Sequence, residues 1–328
     1  MTAVPHGSGR RSFRALVADN PAGVLTFVFI GIFVATDIVN RAQGDGAFLT
    51  AKQVSTTFLF AAVLGLIAAG QTLVMLTGGV DLSVATTATA GAFMISRFGT
   101  HGPAEAIVVA LAVGLGIGLV NGIGIAVFRV NALIMTLGVS TITLGLLTVQ
   151  AQKQFTSLVP NFVVTLGSKR FLTYIPYDLL VWLPIAALIV LGLRYSGIGR
   201  MIYAVGDNPV ASRLGGVRIW QVLLVVYALC GLLSAAAGIL LVGFNNAADL
   251  GIGVPFLLPS VAAVVIGGTS IFGGLGGYAG TILGALILTV LDSLLTILNA
   301  SQAVRQIIYG LIVLALAAIY ARATAAAE

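Results

Sequence analysis

The chain has 328 residues, of which 59% are hydrophobic and only 8% are charged, and its mean hydropathy is +1.11. A soluble domain of this length needs far more charge to cover its surface, so the composition predicts an integral membrane protein. The net charge of +6 comes from sixteen Lys and Arg residues scattered between apolar runs. Because they form no basic face, they argue against a nucleic-acid partner and act as topology signals.

A bilayer-crossing helix needs about 20 mostly apolar residues, which divides the chain into about ten candidate spans. We therefore expect an all-α, polytopic fold in which residues 1–328 form a single transmembrane domain. Residues 1–20 are expected to be a cytoplasmic tail, since no small-residue cleavage site of a signal peptide follows them. The candidate spans are Pro21 to Val39, Thr56 to Leu76, Val80 to Ser96, Ala106 to Phe128, Ala132 to Gln150, Leu179 to Leu193, Ile219 to Phe244, Pro255 to Phe272, Tyr278 to Leu298 and Ile307 to Tyr320.

Basic residues resist translocation, so their positions predict which span ends are cytoplasmic. Three arginines within residues 10–14 place the N-terminus inside, and four arginines within residues 194–218 place that connection inside as well. Four further spans return the C-terminus, with Arg322, to the cytoplasm. The segment from Ala151 to Tyr177 fits less well, because it holds three basic residues and is assigned to the outside. An error of one span in the first half would account for this.

The stretch "LTGGVDLSV", Leu76 to Val84, contains Asp81, the only charged side chain between Val54 and Ser96. Gly78 and Gly79 are suited to ending one helix at a sharp reversal. Asp81 and Ser83 can then accept hydrogen bonds from the free amides at the start of the next helix. This pattern favours a helix break held by Asp81. A carboxylate that faces a pathway and binds an ion or substrate is the other interpretation.

A second glycine-rich stretch, "VIGGTSIFGGLGG" from Val265 to Gly277, resembles the first. In both, a glycine pair follows an apolar span and is followed by a small polar residue and another span. In the predicted topology both of these spans run inward, which favours a parallel internal repeat offset by six spans. Chance similarity is the alternative, because Gly is frequent in membrane helices.

The polar segment from Ser196 to Val217 contains the elements of a short helix. Asp207 and Asn208 supply an N-cap, Pro209 suits the first turn, and a glycine pair ends the pattern. We therefore predict a helix from Pro209 to Leu214, with Arg200 and Arg213 as a basic surround. A helix this short needs support from its own protein or from a partner. An ordinary solvated loop is the alternative.

Several polar residues lie within apolar runs, where they are expected to face protein or a water-filled path. Interhelical hydrogen bonding is an equally good explanation for each of them. These residues are Gln71, Thr72, Asn121, Asn131, Gln150, Asp292 and Ser293.

Four blocks in order along the chain resemble the membrane permease subunits of ribose-type ABC importers, a family that carries pentoses, hexoses, polyols and related solutes. The first block has Ala85 where glycine is usual. Asp292 stands where the family usually has asparagine, which leaves open a cationic cargo, a pair with Arg305 or a position near an interface. The blocks are "GQTLVMLTGGVDLSV", "GLVNGIGIAVFRVNALIMTLGVSTITLGL", "GRMIYAVGDNPVASRLGGV" and "SVAAVVIGGTSIFGGLGGYAGTILGALIL".

The resemblance implies that residues 196–217 form a coupling segment whose short helix seats in a cytoplasmic ATPase. It also implies a second permease subunit, either a copy or a relative, and an extracytoplasmic solute-binding protein. The chain has no G-x-x-x-x-GK-[ST] loop, so ATP and Mg²⁺ would be used by the partner, and this subunit would be a permease without enzymatic activity or bound metal. The coupling residues implied are Arg200, Asp207, Asn208, Pro209, Ala211, Arg213 and Gly215.

The resemblance also gives the loop from Phe244 to Gly251 a function to consider. Its polar residues Asn245, Asn246 and Asp249 are either contacts for the binding protein or a plain polar turn. Two rival functions remain. One is an ABC permease for a nucleoside or a branched-chain amino acid, and the other is a proton- or sodium-driven carrier with Asp81 and Asp292 as its ion-sensitive groups.

Overall fold

The computed structural model describes residues 21–44, 46–152, 158–171 and 175–325, so the predicted tail at residues 1–20 lies outside the described residues. The described part is built from α-helices and two short 3₁₀ helices, Gly99–His101 and Val254–Phe256. The α-helices are α1 (Pro21–Ala42), α2 (Ala51–Leu76), α3 (Val84–Phe98), α4 (Pro103–Ala126), α5 (Ala132–Gln152), α6 (Asn161–Ser168), α7 (Tyr177–Tyr195), α8 (Gly197–Asp207), α9 (Pro209–Leu214), α10 (Ile219–Asn245), α11 (Leu257–Ile266), α12 (Tyr278–Ile297) and α13 (Gln302–Ala325).

Seven of the described helices are long and apolar enough to cross a membrane, namely α1, α2, α4, α5, α7, α10 and α12. Two of the other predicted spans differ from expectation. The span predicted from Val80 begins only at Val84, and α3 has 15 residues. The span predicted from Pro255 yields α11, which has ten residues. Both are short because a glycine-rich loop interrupts the apolar run. The tenth predicted span, Ile307 to Tyr320, lies within the 24-residue helix α13.

The core lies around α2 and α10. In α2, 94% of the apolar window is buried within the protein, so this helix is shielded from lipid by its neighbours. These neighbours include α7, α10 and α12, and α10 in turn packs against α3, α4 and α6. In α5 only 22% of the window is buried, which leaves most of its apolar surface for lipid or another subunit.

A buried hydrogen-bond chain joins three of these helices. Trp182 Nε1 of α7 donates to the hydroxyl of Tyr278 at 2.7 Å, and that hydroxyl donates to the carbonyl of Gly65 in α2 at 2.8 Å. Both aromatic side chains are almost fully buried. The chain of bonds satisfies polar groups that lipid cannot satisfy and fixes the start of α12 against α2 and α7.

Candidate functional site

The first glycine break ends α2 with a compact turn. Gly78 has φ +80°, a left-handed conformation that favours glycine. Its amide donates to the carbonyl of Met75 at 2.9 Å, and the amide of Gly79 donates to the carbonyl of Val74 at 3.2 Å. This is the paired hydrogen-bond pattern of a Schellman motif, and it closes the carbonyl end of a helix that lies inside the protein.

The second glycine break ends α11 with the same turn. Gly268 has φ +88° and donates to Val265 O at 3.0 Å, while the amide of Thr269 donates to Val264 O at 3.1 Å. The left-handed residue is therefore the first glycine of one pair and the second glycine of the other. The two breaks share their local geometry, and the larger internal repeat remains a prediction.

Asp81 lies just after the first break and is 1% exposed. Its Oδ1 accepts hydrogen bonds from the backbone amide of Ser83 at 2.7 Å and from Ser83 Oγ at 2.6 Å. Asn121 Nδ2 of α4 donates to the same Ser83 hydroxyl at 2.8 Å. Ser83, which was expected to accept from a free amide, makes no side-chain cap bond at the start of α3. Asp81 therefore fixes the connection between α2 and α3 and holds it against α4.

The first glycine break and the loop that follows the second break meet at the end of α8. The amide of Gly274 in this loop donates to the carbonyl of Leu76 at 3.0 Å, which joins the loop to the end of α2. Gly206 is wedged against both, because a Cβ atom placed on it would lie 1.8 Å from Leu76 O and 2.6 Å from Gly274 N. We call this contact of Leu76–Gly79, Gly206 and Gly273–Gly274 the glycine junction. It requires a glycine at position 206.

Tyr203, one turn before Gly206, adds a side-chain link to the glycine junction. Its hydroxyl donates to the carbonyl of Gly276 at 2.9 Å. Burial raises the pKa of this hydroxyl, so it remains protonated and able to donate at any physiological pH. Helix α8 is therefore attached to the second glycine-rich loop by backbone packing and by a hydrogen bond.

The short helix α9 follows the glycine junction directly and has the predicted bounds, Pro209–Leu214. Asn208 Oδ1 accepts from the amides of Val210 and Ala211, each at 3.0 Å, and the amide of Gly215 donates to Ala211 O at 2.9 Å. Local capping chemistry therefore accounts for both ends. Two large apolar side chains on α9 are exposed, Val210 at 71% and Leu214 at 85%.

A cavity of about 750 Å³ lies beside α9, between α8 and the start of α10. Its wall includes Met201, Val217 and Trp220, and Trp220 is 49% exposed. Asp207, Arg213 and Gly215 are exposed around α9, as the coupling assignment requires. Arg200 is also exposed, but it lies on another face of α8. There it lines a separate cavity together with Arg194, Tyr203 and Gly277.

The predicted pathway residues do not all come together. Asn131 is exposed, and its Oδ1 accepts from the amide of Leu133 at 2.9 Å, so it caps the start of α5. Gln150 accepts from Arg97 at 2.8 Å. Thr72 Oγ1 bonds Ala68 O at 2.6 Å and Thr281 Oγ1 at 2.9 Å, which links α2 to α12.

Gln71 is the pathway candidate without a hydrogen bond. It is fully buried, and neither its Nε2 nor its Oε1 has a hydrogen-bond partner among the described residues. Buried amides normally have partners, so the unbonded amide distinguishes Gln71 from the other pathway candidates. The pattern of apolar residues around Gln71 identified its burial, but the missing partner is visible only in the folded chain.

Asp292 forms the pair with Arg305 that was one of its predicted options. Arg305 Nη1 donates to Asp292 Oδ1 at 3.2 Å, and the Tyr309 hydroxyl donates to the same oxygen at 2.7 Å. The three side chains line a cavity of about 400 Å³ together with Asn245 and Asp249. The sequence predicted separate functions for the loop residues and for Asp292. It did not indicate Tyr309, because no local pattern distinguishes this tyrosine.

The comparisons with known proteins agree on the family. The family described as branched-chain amino acid transport system / permease component matches residues 53–317. The ribose import permease protein RbsC of Escherichia coli (strain K12) is 35% identical over 94% of this chain and 95% of its own length. The RbsC protein of Bacillus subtilis (strain 168) is 31% identical over 87% and 89%, and the fructose import permease protein FrcC of Rhizobium meliloti is 31% identical over 92% and 85%. No solved structure is a significant match.

The match covers most of the chain, so this protein belongs to the permease component family of these transport systems. It is a multi-pass membrane permease subunit and not an enzyme.

Proposed function

We propose that this subunit forms the translocation path of an ATP-driven importer for a pentose, hexose or polyol delivered by a solute-binding protein. The relatives named for ribose and fructose import support the solute class. The observation that carries the mechanism is the glycine junction. It links the helix that precedes the exposed α9 to the end of α2 and to the glycine-rich loop between α11 and α12, through a residue that has no room for a side chain.

In the proposed cycle α9 docks into a cleft of a partner ATPase, which binds ATP and Mg²⁺. Val210 and Leu214 supply the apolar contact, and the basic residue Arg213 lies beside them. A displacement of α9 moves the end of α8, because Asn208 is both the last cap of α8 and the first cap of α9. Backbone contacts at Gly206 then pass the movement to the end of α2 and to the loop between α11 and α12.

The proposed assembly contains two permease subunits, two ATPase subunits and one external binding protein. The exposed apolar face of α5 is available to lipid or to the second permease. The N- and C-termini and α9 lie in the cytoplasm in this proposal, as the distribution of arginines predicts. The path candidates remain Gln71, Thr72, Asn121, Asn131 and Asp292, and Gln71 is the strongest because its buried amide has no partner among the described residues.

Reconstitution of the subunit with its ATPase and binding protein in vesicles tests this function. Uptake of labelled D-ribose or D-fructose should require ATP, and Leu214→Asp should abolish both the uptake and co-purification of the ATPase. The matched control is Leu158→Asp, the same change at an exposed leucine in the loop before α6, outside the candidate spans. Uptake by the permease alone, driven by a proton or sodium gradient, would establish the carrier instead.

A branched-chain amino acid is the second candidate solute, and the description of the matching family favours it. Labelled L-leucine is therefore tested in the same vesicles. ATP-dependent uptake of L-leucine without uptake of either sugar would overturn the sugar assignment while leaving the ATP-driven mechanism intact.

A further inference from the structure

The cavity lined by Asp292 lies at the opposite end of the molecule from α9. Helix α10 begins next to α9 at Ile219 and ends at Asn245, on the cavity wall, and its 27 residues extend about 40 Å. Helix α12 likewise begins beside the glycine junction and reaches the cavity at Asp292. If α9 is cytoplasmic, this cavity opens toward the outside, where the binding protein would release its cargo.

The size of the cavity suits a small solute. Its volume of about 400 Å³ lies in the lower part of the range of about 300–1,000 Å³ that ligand pockets occupy. Its wall is formed by five α-helices, α2, α10, α11, α12 and α13, and by the loop after α10. We call it the outer cavity.

The Asp292 carboxylate keeps hydrogen-bonding capacity toward the outer cavity. Its Oδ1 receives the Tyr309 hydroxyl and one Arg305 nitrogen, and Oδ2 has only the long 3.4 Å contact with the same nitrogen. The Asp292 side chain is 46% exposed, whereas that of Arg305 is 18% exposed. Oδ1 therefore holds the carboxylate in place, and Oδ2 can accept a hydrogen bond from a solute hydroxyl group.

Aromatic side chains also line the outer cavity and give it an apolar surface. Phe60 and Phe256 stack with ring centroids 6.4 Å apart and planes inclined by 28°, and both line the outer cavity. A sugar or polyol presents hydroxyl groups on some faces and C–H groups on others, so it can use a carboxylate and an aromatic surface together. Asn245, Thr289 and Gln302 add neutral hydrogen-bonding groups to the wall.

The charged side chains that line the outer cavity disfavour anionic solutes. Asp249 and Asp292 line the outer cavity and Arg305 is the cation on its wall, so the described wall carries more negative than positive charge. A free carboxylate on a solute would be repelled by Asp249 and would have to displace Asp292 from Arg305. A neutral polyhydroxy solute meets neither cost.

From this geometry we infer that the outer cavity is a receiving site for a neutral polyhydroxy solute, with Asp292 as its main hydroxyl acceptor. The inference rests on the proposed importer function and gives that path its outer binding site. Arg305 and Tyr309 act as positioning residues, because they hold the carboxylate that would contact the solute. Solute affinity here is expected to be weak, since a site on a path must also release its cargo.

Protection of an introduced cysteine tests the site without requiring transport. Asn245→Cys places a thiol on the wall of the outer cavity, whereas the native Cys230 is buried and serves as an internal blank. The assembled importer in vesicles is treated with a membrane-impermeant maleimide, with D-ribose, D-fructose or L-leucine at up to tens of millimolar. Either sugar should slow labelling several-fold, and L-leucine should not. Ala247→Cys, exposed in the same loop but outside the cavity wall, should be labelled equally in all conditions.

Asp292→Asn in the Asn245→Cys background identifies the acceptor. The change keeps the side-chain shape and one acceptor oxygen but removes the charge, so it should weaken protection by sugar several-fold, whereas Asp292→Ala leaves no acceptor and should abolish it. Protection by L-leucine, absence of protection by both sugars, or protection that survives Asp292→Ala would each overturn the inference. ATP-dependent sugar uptake in the same vesicles separates the two proposals. Uptake without protection removes only the outer site, whereas absence of uptake with protection present contradicts the importer.

Discussion

At the scale of single residues, the polar side chains of this protein divide into those that complete the fold and those that leave bonding capacity unused. Asp81 bonds Ser83 and Ser83 accepts from Asn121, whereas both polar atoms of the Gln71 amide and Oδ1 of Asn121 have no partner among the described residues. A buried polar group that is fully bonded stabilises one arrangement, and an unbonded one is costly. This difference separates structural residues from path candidates more clearly than position in an apolar run.

The bonds of Asp81 lead to a prediction for two substitutions. Asp81→Ala removes the acceptor for the Ser83 amide and hydroxyl and should destabilise the protein by about 2–3 kcal/mol. Asp81→Asn retains an acceptor oxygen and should cost about half as much. Thermal unfolding of the purified complex measures both. If Asp81 served as an ion-binding group instead, Asp81→Asn would abolish transport with no change in melting temperature.

The chain of bonds through Tyr278 makes a similar prediction. Tyr278→Phe removes the acceptor for Trp182 Nε1 and the donor for the Gly65 carbonyl, both of which are buried. The expected loss is about 1–2 kcal/mol, the range of interhelical hydrogen bonds in membrane proteins. Thermal unfolding again measures it. Tyr195→Phe is the matched control, since that ring is exposed and should show no change.

At the scale of elements, the decisive feature is the end of α8, where one helix contacts the end of α2 and the loop between α11 and α12. Short or broken helices in membrane transporters commonly lie where the path is formed and moved. Helices α3 and α11 are two such short apolar helices, and each adjoins a glycine-rich loop of the glycine junction. The glycine junction therefore connects the region of α9 to the loops that bound two short helices.

Gly206→Ala tests the glycine junction as a mechanical link. The added methyl group would meet backbone atoms on two sides, which costs about 1–3 kcal/mol and corresponds to about a 5–150-fold change in a conformational equilibrium. We expect sugar uptake to fall by this order while the ATPase still binds. Gly197→Ala in the same helix is the matched control, because its nearest atom is an Arg200 nitrogen 3.9 Å away. Equal uptake by both variants would exclude the link.

At the scale of the whole molecule, the arrangement of α9 and the outer cavity at opposite ends defines an inner and an outer face. This arrangement follows from the lengths of α10 and α12, each of which reaches from one region to the other. An importer needs such a separation, because energy enters on one side of the membrane and solute on the other.

Thiol labelling checks this orientation. Leu214→Cys on α9 should react with a membrane-impermeant maleimide only after the cells are permeabilised, and Ala247→Cys should react in intact cells. The native Cys230 is buried and should give little background. Labelling of both positions from the same side would contradict the proposed topology and, with it, the direction of transport.

Local chemistry made several features predictable from the sequence. The apolar composition required a helical membrane protein, because lipid leaves no other partner for backbone amides. The bounds of α9 were predictable because Asn208, Pro209 and Gly215 act within a few residues of one another. The helix break after Leu76 was predictable for the same reason, since Gly78 alone provides the left-handed turn.

Only the tertiary structure decided the contacts between segments distant along the chain. The position of Gly206 between Leu76 and Gly274 depends on how α2, α8 and α11 pack, and no local pattern contains that information. The outer cavity has the same origin, because it brings the loop after α10 to Asp292 and Tyr309. Apolar length alone gave α3 and α11 too many residues, since it does not register where a glycine-rich loop ends a helix inside an apolar run. Composition and capping act locally, whereas a junction or a cavity exists only once separate helices have packed.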